Sequence, residues 1–522
     1  MPRRFIPLAL PLALAALVLA GCSVTAEAAS PSVVASTAAS ATPVVTETET
    51  AVPAAAADVL AENADGTVVN DDEWSIDDAV SIALSGSTAT SDAAGVSVSG
   101  STVTITAAGV YRLSGSLDGQ VVVDAPDDAL VVLVLDGASI TDATGSAIHV
   151  VTADDVAISL AADTTNTVTG ASSADADASA AIYADTDLTI SGNGSLAVTD
   201  SGNDGISATG DLAVIGGTIT VNAADDALRG KDSLVVKAGS LTLTAGGDAL
   251  KSDQTDDATK GYVWIAGGTV TATAGDDGID AQTDAVVSGG TLTLATDDDG
   301  IHSETILVIA GGEVALTRSY EGLESADIRI AGGSTSVVSS DDGVNAAGGT
   351  SSGMGGGMQN TGEKLTISGG VLVVDAAGDG LDSNGTIEMT GGDVTVFGPT
   401  ANDNGALDSN GGITVSGGTL VAIESGGMAE SPDAASPQGW LAASVSGSAG
   451  STVQVADASG AVIASYTATK SFASVVFSSA GVVDGQVYTV TVDGVATTVT
   501  AGEAAAGGMG GGMGGGMGGG RP

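Results

Sequence analysis

The sequence predicts an all-β protein: a right-handed parallel β-helix, a solenoid with rungs of about 22 residues, plus a small antiparallel C-terminal β cap. Three observations lead there. A pair of glycines recurs, its first member at Gly267, Gly289, Gly311 and Gly332, giving spacings of 22, 22 and 21 residues. A period of this length belongs to solenoids. Apolar residues alternate before each pair (Leu234/Val236, Val263/Ile265, Leu307/Ile309, Ile328/Ile330) and again after it (Leu241/Leu243, Leu292/Leu294, Val314/Leu316). Period-two alternation marks strands with one buried face, and the 3.6-residue helical pattern of many leucine-rich repeats is absent. Finally, 43% of the chain is apolar although only 2% is aromatic. Ala, Val, Ile and Leu suit a narrow core filled by repetition. With rungs ~4.8 Å apart, eleven or twelve of them make a rod of roughly 50–55 Å.

Taken in chain order, Arg3 and Arg4 precede an apolar run from Phe5 to Ala20. The run is shorter than the ~20 residues of a membrane span and reads as a signal peptide over residues 1–21. Leu19-Ala20-Gly21-Cys22 resembles the bacterial lipobox. That makes Cys22 the lipidated first residue of an exported, membrane-anchored protein on the extracytoplasmic side of a bacterial cell. Cys22 is also the only cysteine, so no intrachain disulfide forms. Residues 22–65, rich in Ala, Thr, Pro, Ser and Glu, read as a disordered linker. The coil is expected over residues 66–430, less tidily from Val96 to Ala208, with an insertion from Ala346 to Glu363. Short alternating strands in 438–502 read as hairpins capping the last rung, which would otherwise expose unpaired strand edges. Residues 503–522, with repeated Gly-Gly-Met-Gly, read as a flexible tail.

Charge gives the strongest functional lead. The net charge is 13 − 64 = −51, which argues against a nucleic-acid partner. Many of the acids recur at one turn of each rung: Asp204-Gly-Ile-Ser207, Asp226-Ala-Leu-Arg229, Asp248-Ala-Leu-Lys251, Asp277-Gly-Ile-Asp280 and Asp299-Gly-Ile-His302. The series continues with Glu321-Gly-Leu-Glu324, Asp342-Gly-Val-Asn345, Asp379-Gly-Leu-Asp382 and an imperfect Asn404-Gly-Ala-Leu-Asp408. In a coiled sheet these positions stack in two columns. Carboxylates ~4.8 Å apart repel by about 0.9 kcal/mol per pair even in water. Asp-Gly alone makes good turns, but eight aligned copies point to Ca2+, whose Ca–O distance of about 2.3–2.6 Å lets one ion span two rungs. The expected ligands are Asp277, Asp280, Asp299, Glu321, Glu324, Asp342, Asn345, Asp379 and Asp382. Arg229 and Lys251 would replace the metal with a salt-bridge ladder beside Asp226 and Asp248. His302 is read as an occupant of its column rather than a catalytic base, and His149 likewise.

Together with Val110-Tyr-Arg-Leu-Ser-Gly-Ser-Leu-Asp-Gly-Gln120, Leu133-Val-Leu-Asp-Gly137 and Lys470-Ser-Phe-Ala-Ser-Val-Val-Phe477, these features resemble a bacterial family of carbohydrate-binding-domain-containing, pectate-lyase-like β-helix proteins. The resemblance covers roughly residues 70 to 500. It implies calcium at the rung turns and affinity for polysaccharides such as cellulose and polygalacturonate, without established catalysis. Arg229, Lys251 and His302 depart from the acidic pattern and put the number of ions in doubt.

For the glycan itself, the outward column Val235, Trp264, Val286, Val308, Arg329 is the candidate face. Trp264 and Tyr262 could stack on a sugar, and Arg329 could meet a uronate carboxylate. The alternative is that another segment covers this strip. The expected function is therefore a calcium-dependent, monomeric, cell-surface polysaccharide binder. A polysaccharide lyase is the first alternative, although no Arg or Lys cluster beside the acids identifies a base. A structural adhesin is the second.

Overall fold

The computed structural model describes residues 51–348 and 359–504. The proposed signal peptide, Cys22, most of the linker, the Gly/Met part of the insertion and nearly all of the tail lie outside the described residues.

The body is one 38-stranded sheet wound into parallel rungs. Each turn gives one strand to each of three ladders. Ile279–Ala281, Asp284–Val287 and Thr291–Ala295 form one such turn. The next is Ile301–Ile309, which serves the first two ladders, followed by Glu313–Ser319. Pairing keeps the core positions in register from turn to turn, with shifts confined to bulges: Val270 opposes Leu292, and Leu292 opposes Val314. The same residue types therefore stack along the core. In the first ladder Leu228, Leu250, Ile279, Ile301, Leu323, Val344, Leu381 and Leu407 follow one another, each no more than 1% exposed. Burying each such side chain contributes about 1.5–3 kcal/mol, so the rod is stabilised by sum rather than by any single large residue.

The glycine pair has two separate causes. Its second member is left-handed, with φ of 85° at Gly290 and 81° at Gly312, a region other residues enter only at a cost. A Cβ on its first member would come within 2.5 Å of the carbonyl oxygen one rung earlier, as at Gly267 and Gly289. The glycine of Asp-Gly is a different matter. The expected tight turn is not what requires it, because Gly278, Gly300 and Gly322 have no positive φ. They face inward, where a Cβ on Gly300 would meet the Leu316 side chain at 2.5 Å; Ala227 and Ala249 occupy the same level fully buried.

At the C-terminal end the direction of pairing reverses. Ser474–Ser478 runs antiparallel to both Thr419–Glu424 and Trp440–Ala443. Beyond it Thr452–Ala456, Val462–Thr467, Val487–Val492 and Val495–Thr500 form a separate four-stranded sheet. Large side chains gather here, with Phe472, Phe477 and Tyr488 in a second core.

One expectation is corrected. Residues 51–65 are not a free linker. A short helix, α1 (Ala54–Leu60), buries Ala56 and Val59 against Val286, Val308 and Ala310 on the outside of the second ladder. The chain then climbs that ladder toward its first rung. Ala64 accepts a hydrogen bond from the Tyr262 hydroxyl at 2.9 Å. The Thr67 N–H donates to Asp211, and the Val69 N–H donates to Thr189 Oγ1. Residues 53–74 thus form a strap across the coil's outer face.

Candidate metal-binding column

The first ladder places the acidic motif as the sequence implies. Its third outward positions pair successively as Ser207, Arg229, Lys251, Asp280, His302, Glu324, Asn345, Asp382 and Asp408. Beside this column runs that of Asp204, Asp226, Asp248, Asp277, Asp299, Glu321, Asp342 and Asp379.

The second column is held by its own backbone. The N–H of Asp248 donates to Asp226 Oδ1, that of Asp277 to Asp248 Oδ1, and that of Asp299 to Asp277 Oδ1, each at 2.8 Å. The N–H of Glu321 reaches Asp299 Oδ1 at 3.2 Å. In return, Gly300 donates to the Glu321 carbonyl and Gly322 to the Asp342 carbonyl. One oxygen of each Asp therefore satisfies a turn N–H that the strand ladder does not reach, which explains Asp at this position before any metal is considered. The second oxygen is left to face the neighbouring column.

What it faces changes along the rod. In the upper part protein cations fill the space. Lys251 Nζ contacts Asp248 closely, Asp280 at 3.3 Å and Asp226 at 3.8 Å. His302 Nδ1 lies 3.2 Å from Asp280 Oδ1 and 3.9 Å from Asp277 Oδ2. Burial would raise Asp280, but the His302 hydrogen bond and the Lys251 charge outweigh it and hold its carboxyl below the usual range. The Asp280 hydrogen bond in turn raises His302 above an ordinary imidazole. Lys251 fulfils the expected salt-bridge role; Arg229 does not. Arg229 turns to Asp253, bidentate at 2.7–3.1 Å, and its one hydrogen bond to the column is to Ser207 Oγ, while its charge still acts on Asp204. Asp277 and Asp280, expected as ligands, thus already have protein cations beside them.

In the lower part, among the described residues, protein cations give out: the charge of His302 reaches Glu324, its neighbour in register, and goes no further down the column. Among the described residues no Lys or Arg ion pair reaches Asp299, Glu321, Glu324, Asp342, Asp379, Asp382 or Asp408. Burial, joined by the neighbouring acids, pushes Glu321 to about 7 and Asp379 to about 7. Asp382 rises to about 8, through burial and then the charges of Asp342, Asp408 and Asp379. Glu324 is raised too, by burial and by its neighbours Asp299 and Glu321. Ligand oxygens of Asp299, Glu321 and Glu324 lie within 4.8 Å of one another. Asn345, 8% exposed, donates its Nδ2 to Glu321 at 2.8 Å while its buried Oδ1 has no hydrogen-bond partner. An orphaned amide oxygen beside clustered carboxylates fits a hard divalent cation. Asp408, counted in the series as an imperfect copy but not among the expected ligands, continues the outward column. Counted back from Leu407, which pairs with Leu381, Gly405 stands where the earlier turns carry their first acid, and its N–H donates to Asp379 Oδ1, so this turn adds one carboxylate rather than two.

The expected sugar-stacking strip meets a different fate. Its column runs Val110, Val132, Ala157, Thr189, Ala213, Val235, Trp264, Val286, Val308, Arg329, Thr366, Glu388 and Thr414. It is almost wholly apolar as far as Val308 and polar after it, and the strap covers the apolar part. Tyr262 is 4% exposed beneath Ala64. Trp264 packs against α1, donates Nε1 to Ser288 Oγ at 2.9 Å, and has Lys237 Nζ 6.0 Å above its ring. Arg329 pairs with Asp327 at 2.6 Å. The strap buries Tyr262 and partly covers Trp264, so this strip is not the open outward face expected from the sequence.

Residues 99–358 match the model of a family described as carbohydrate-binding domain-containing protein. Over that segment the chain resembles carbohydrate-binding proteins. A protein of Acetivibrio thermocellus with the same description is 46% identical over 179 residues, 33% of this chain and 63% of that one. The match thus spans less than two thirds of the relative. A solved structure, described as the polysaccharide lyase-like protein from C. thermocellum in a gadolinium derivative, is 35% identical. It covers 44% of this chain and 95% of its own, with a TM-score of 0.43. The matched segment contains the column as far as Asn345.

Proposed function

We propose that the chain is a non-catalytic, calcium-dependent polysaccharide-binding protein, exported and tethered to the membrane through a lipid on Cys22. The observation that carries the reading is the stretch of acids from Asp299 to Asp408, to which no Lys or Arg among the described residues is paired and which only His302 touches, at Glu324, while Lys251 and His302 neutralise the stretch above. Calcium held there by Asp299, Glu321, Glu324 and Asn345, and below them by Asp342, Asp379, Asp382 and Asp408, would offset the repulsion and offer open coordination positions. A uronate carboxylate is an oxygen ligand of the kind such an ion accepts. The family likeness over residues 99–358 supports a carbohydrate as the partner. The right-handed sense of the coil belongs to the same proposal and rests on the general preference of parallel crossovers.

A lyase needs a base beside the metal and the sugar. Lys251 is tied to three carboxylates and Arg229 to Asp253, which favours binding over turnover. The test is a titration with polygalacturonate in calcium and in excess chelator. Binding in calcium alone is expected. Equal binding in chelator overturns the calcium reading, and unsaturated, ultraviolet-absorbing product overturns the non-catalytic one.

A further inference from the structure

The strap does more than cover the apolar column. Past Val69 it turns outward, and the turn is fixed by its own hydrogen bonds: the Asn70 N–H and Nδ2 both donate to Glu73 Oε1, at 2.8 and 2.9 Å. This turn presents Trp74, which rests against the cluster of Val69, Val110, Val132, Val134 and Ala157. Between Trp74 and the rungs behind it lies an open cleft of about 500 Å³, within the range of ~300–1,000 Å³ typical of small-molecule sites. Ile76, 49% exposed, extends the apolar wall, while Ser75, Ser159 and Asn193 bring polar groups to it. The Trp74 Nε1–H is buried and has no hydrogen-bond partner among the described residues.

An aromatic platform with hydroxyl and amide groups around it matches the two-sided chemistry of a sugar ring. The ring's C–H face is apolar and its rim is covered with hydroxyls. The charge of the lining selects further. Its one ionisable residue is Asp71, so a uronate would meet repulsion and no cation. We infer that the Trp74 cleft is a subsite for a neutral pyranose, with the indole as the stacking face. It lies on the second ladder, among rungs preceding the acidic column, so it would act without calcium. The inference rests on the polysaccharide-binding reading and adds a second, chemically distinct contact to it.

The test is calorimetric titration of the full chain with cellotetraose in chelator, and separately with an oligogalacturonate in calcium. Trp74→Ala is expected to weaken cellotetraose by at least about tenfold, an effect well above measurement error. Trp74→Phe, which keeps a stacking face, should retain most of the affinity, and oligogalacturonate binding should be the same in all three proteins. If Trp74→Ala fails to fold, Ala162→Trp at an exposed position on the opposite rim should fill the cleft and abolish cellotetraose binding. Unchanged cellotetraose binding in both variants overturns the inference. So does a wild type that takes oligogalacturonate but not cellotetraose. A wild type that takes neither overturns the proposed function as well.

Discussion

The main-chain N–H of Asp299 donates to the Oδ1 of Asp277, one rung earlier, at 2.8 Å. The bond separates two roles that the sequence superimposes. One oxygen of each aspartate is a structural acceptor, and the other carries the unsolved charge. Asp277→Asn keeps the acceptor and removes the charge; Asp277→Ala removes both. The alanine variant is expected to be less stable than the asparagine one by about 1–3 kcal/mol, the cost of an orphaned N–H. Urea unfolding of the two variants side by side measures it, and equal stabilities would show that the bond contributes nothing.

Chelation should lower the melting temperature. Each ion held at 100 times its Kd stabilises the fold by about 2.7 kcal/mol. Glu324→Gln, which removes one of three clustered carboxylates without shortening the side chain, should reduce the calcium-induced rise. Calorimetric melts with calcium and with chelator decide the matter. An identical melting temperature in both rules out a structural ion.

Lys251 is the internal counterpart of that ion. Lys251→Met leaves Asp226, Asp248 and Asp280 facing one another with their cation gone. In chelator the variant should lose about 3–5 kcal/mol, as when one partner of a buried pair is removed. In calcium part of that loss should return, and the number of ions bound should rise. Calcium titration followed by melting reads both effects.

A pH response is expected at the junction of coil and cap. Glu424 is 1% exposed, and burial raises its carboxyl from the usual 4.5 to about 7 despite the bond from the Ala406 N–H. A raised acid binds its proton more tightly folded than unfolded. The penalty is therefore absent below about pH 4.5, grows as pH rises, and is complete above about pH 7. At about 1.36 kcal/mol per pH unit it amounts to roughly 3 kcal/mol. Glu424→Gln should be the more stable protein at pH 8, with the difference vanishing near pH 4. The comparison belongs in saturating calcium, so that the column does not titrate alongside.

Much of this architecture was legible because each rung repeats the same physical problem. The 22-residue period, the alternation of Leu292 with Leu294 and the stacking of Asp277 on Asp299 all follow from one strand pattern. The strap was not legible, because Ala54–Leu60 is a seven-residue helix without room for a helical period and its partners lie more than 200 residues away. A signal was nevertheless present. Val286 faces outward between inward Ala285 and Val287, and only a strand covered on both sides reads as continuously apolar. The change from Val308 to Arg329, Thr366 and Glu388 along that column marks where the cover ends. Trp74 was missed for a related reason: its importance depends on a cleft formed by residues 134 to 193, which no local pattern joins to it.

The strap therefore makes a sharp prediction. Ala56 is fully buried against Val286 and Val308, and an aspartate there would place an unpaired charge in an apolar contact. Ala56→Asp should lift α1 from the coil while leaving the rungs intact, since their pairing does not involve residues 54–60. Of the three tryptophans, Trp264 alone packs under α1, so its emission should shift to the red and become open to iodide quenching. The far-ultraviolet β signal should persist. Quenching equal to that of the wild type would mean that the helix does not shield Trp264 in solution, and the strip of Trp264, Val286 and Val308 would again be free to take a ligand.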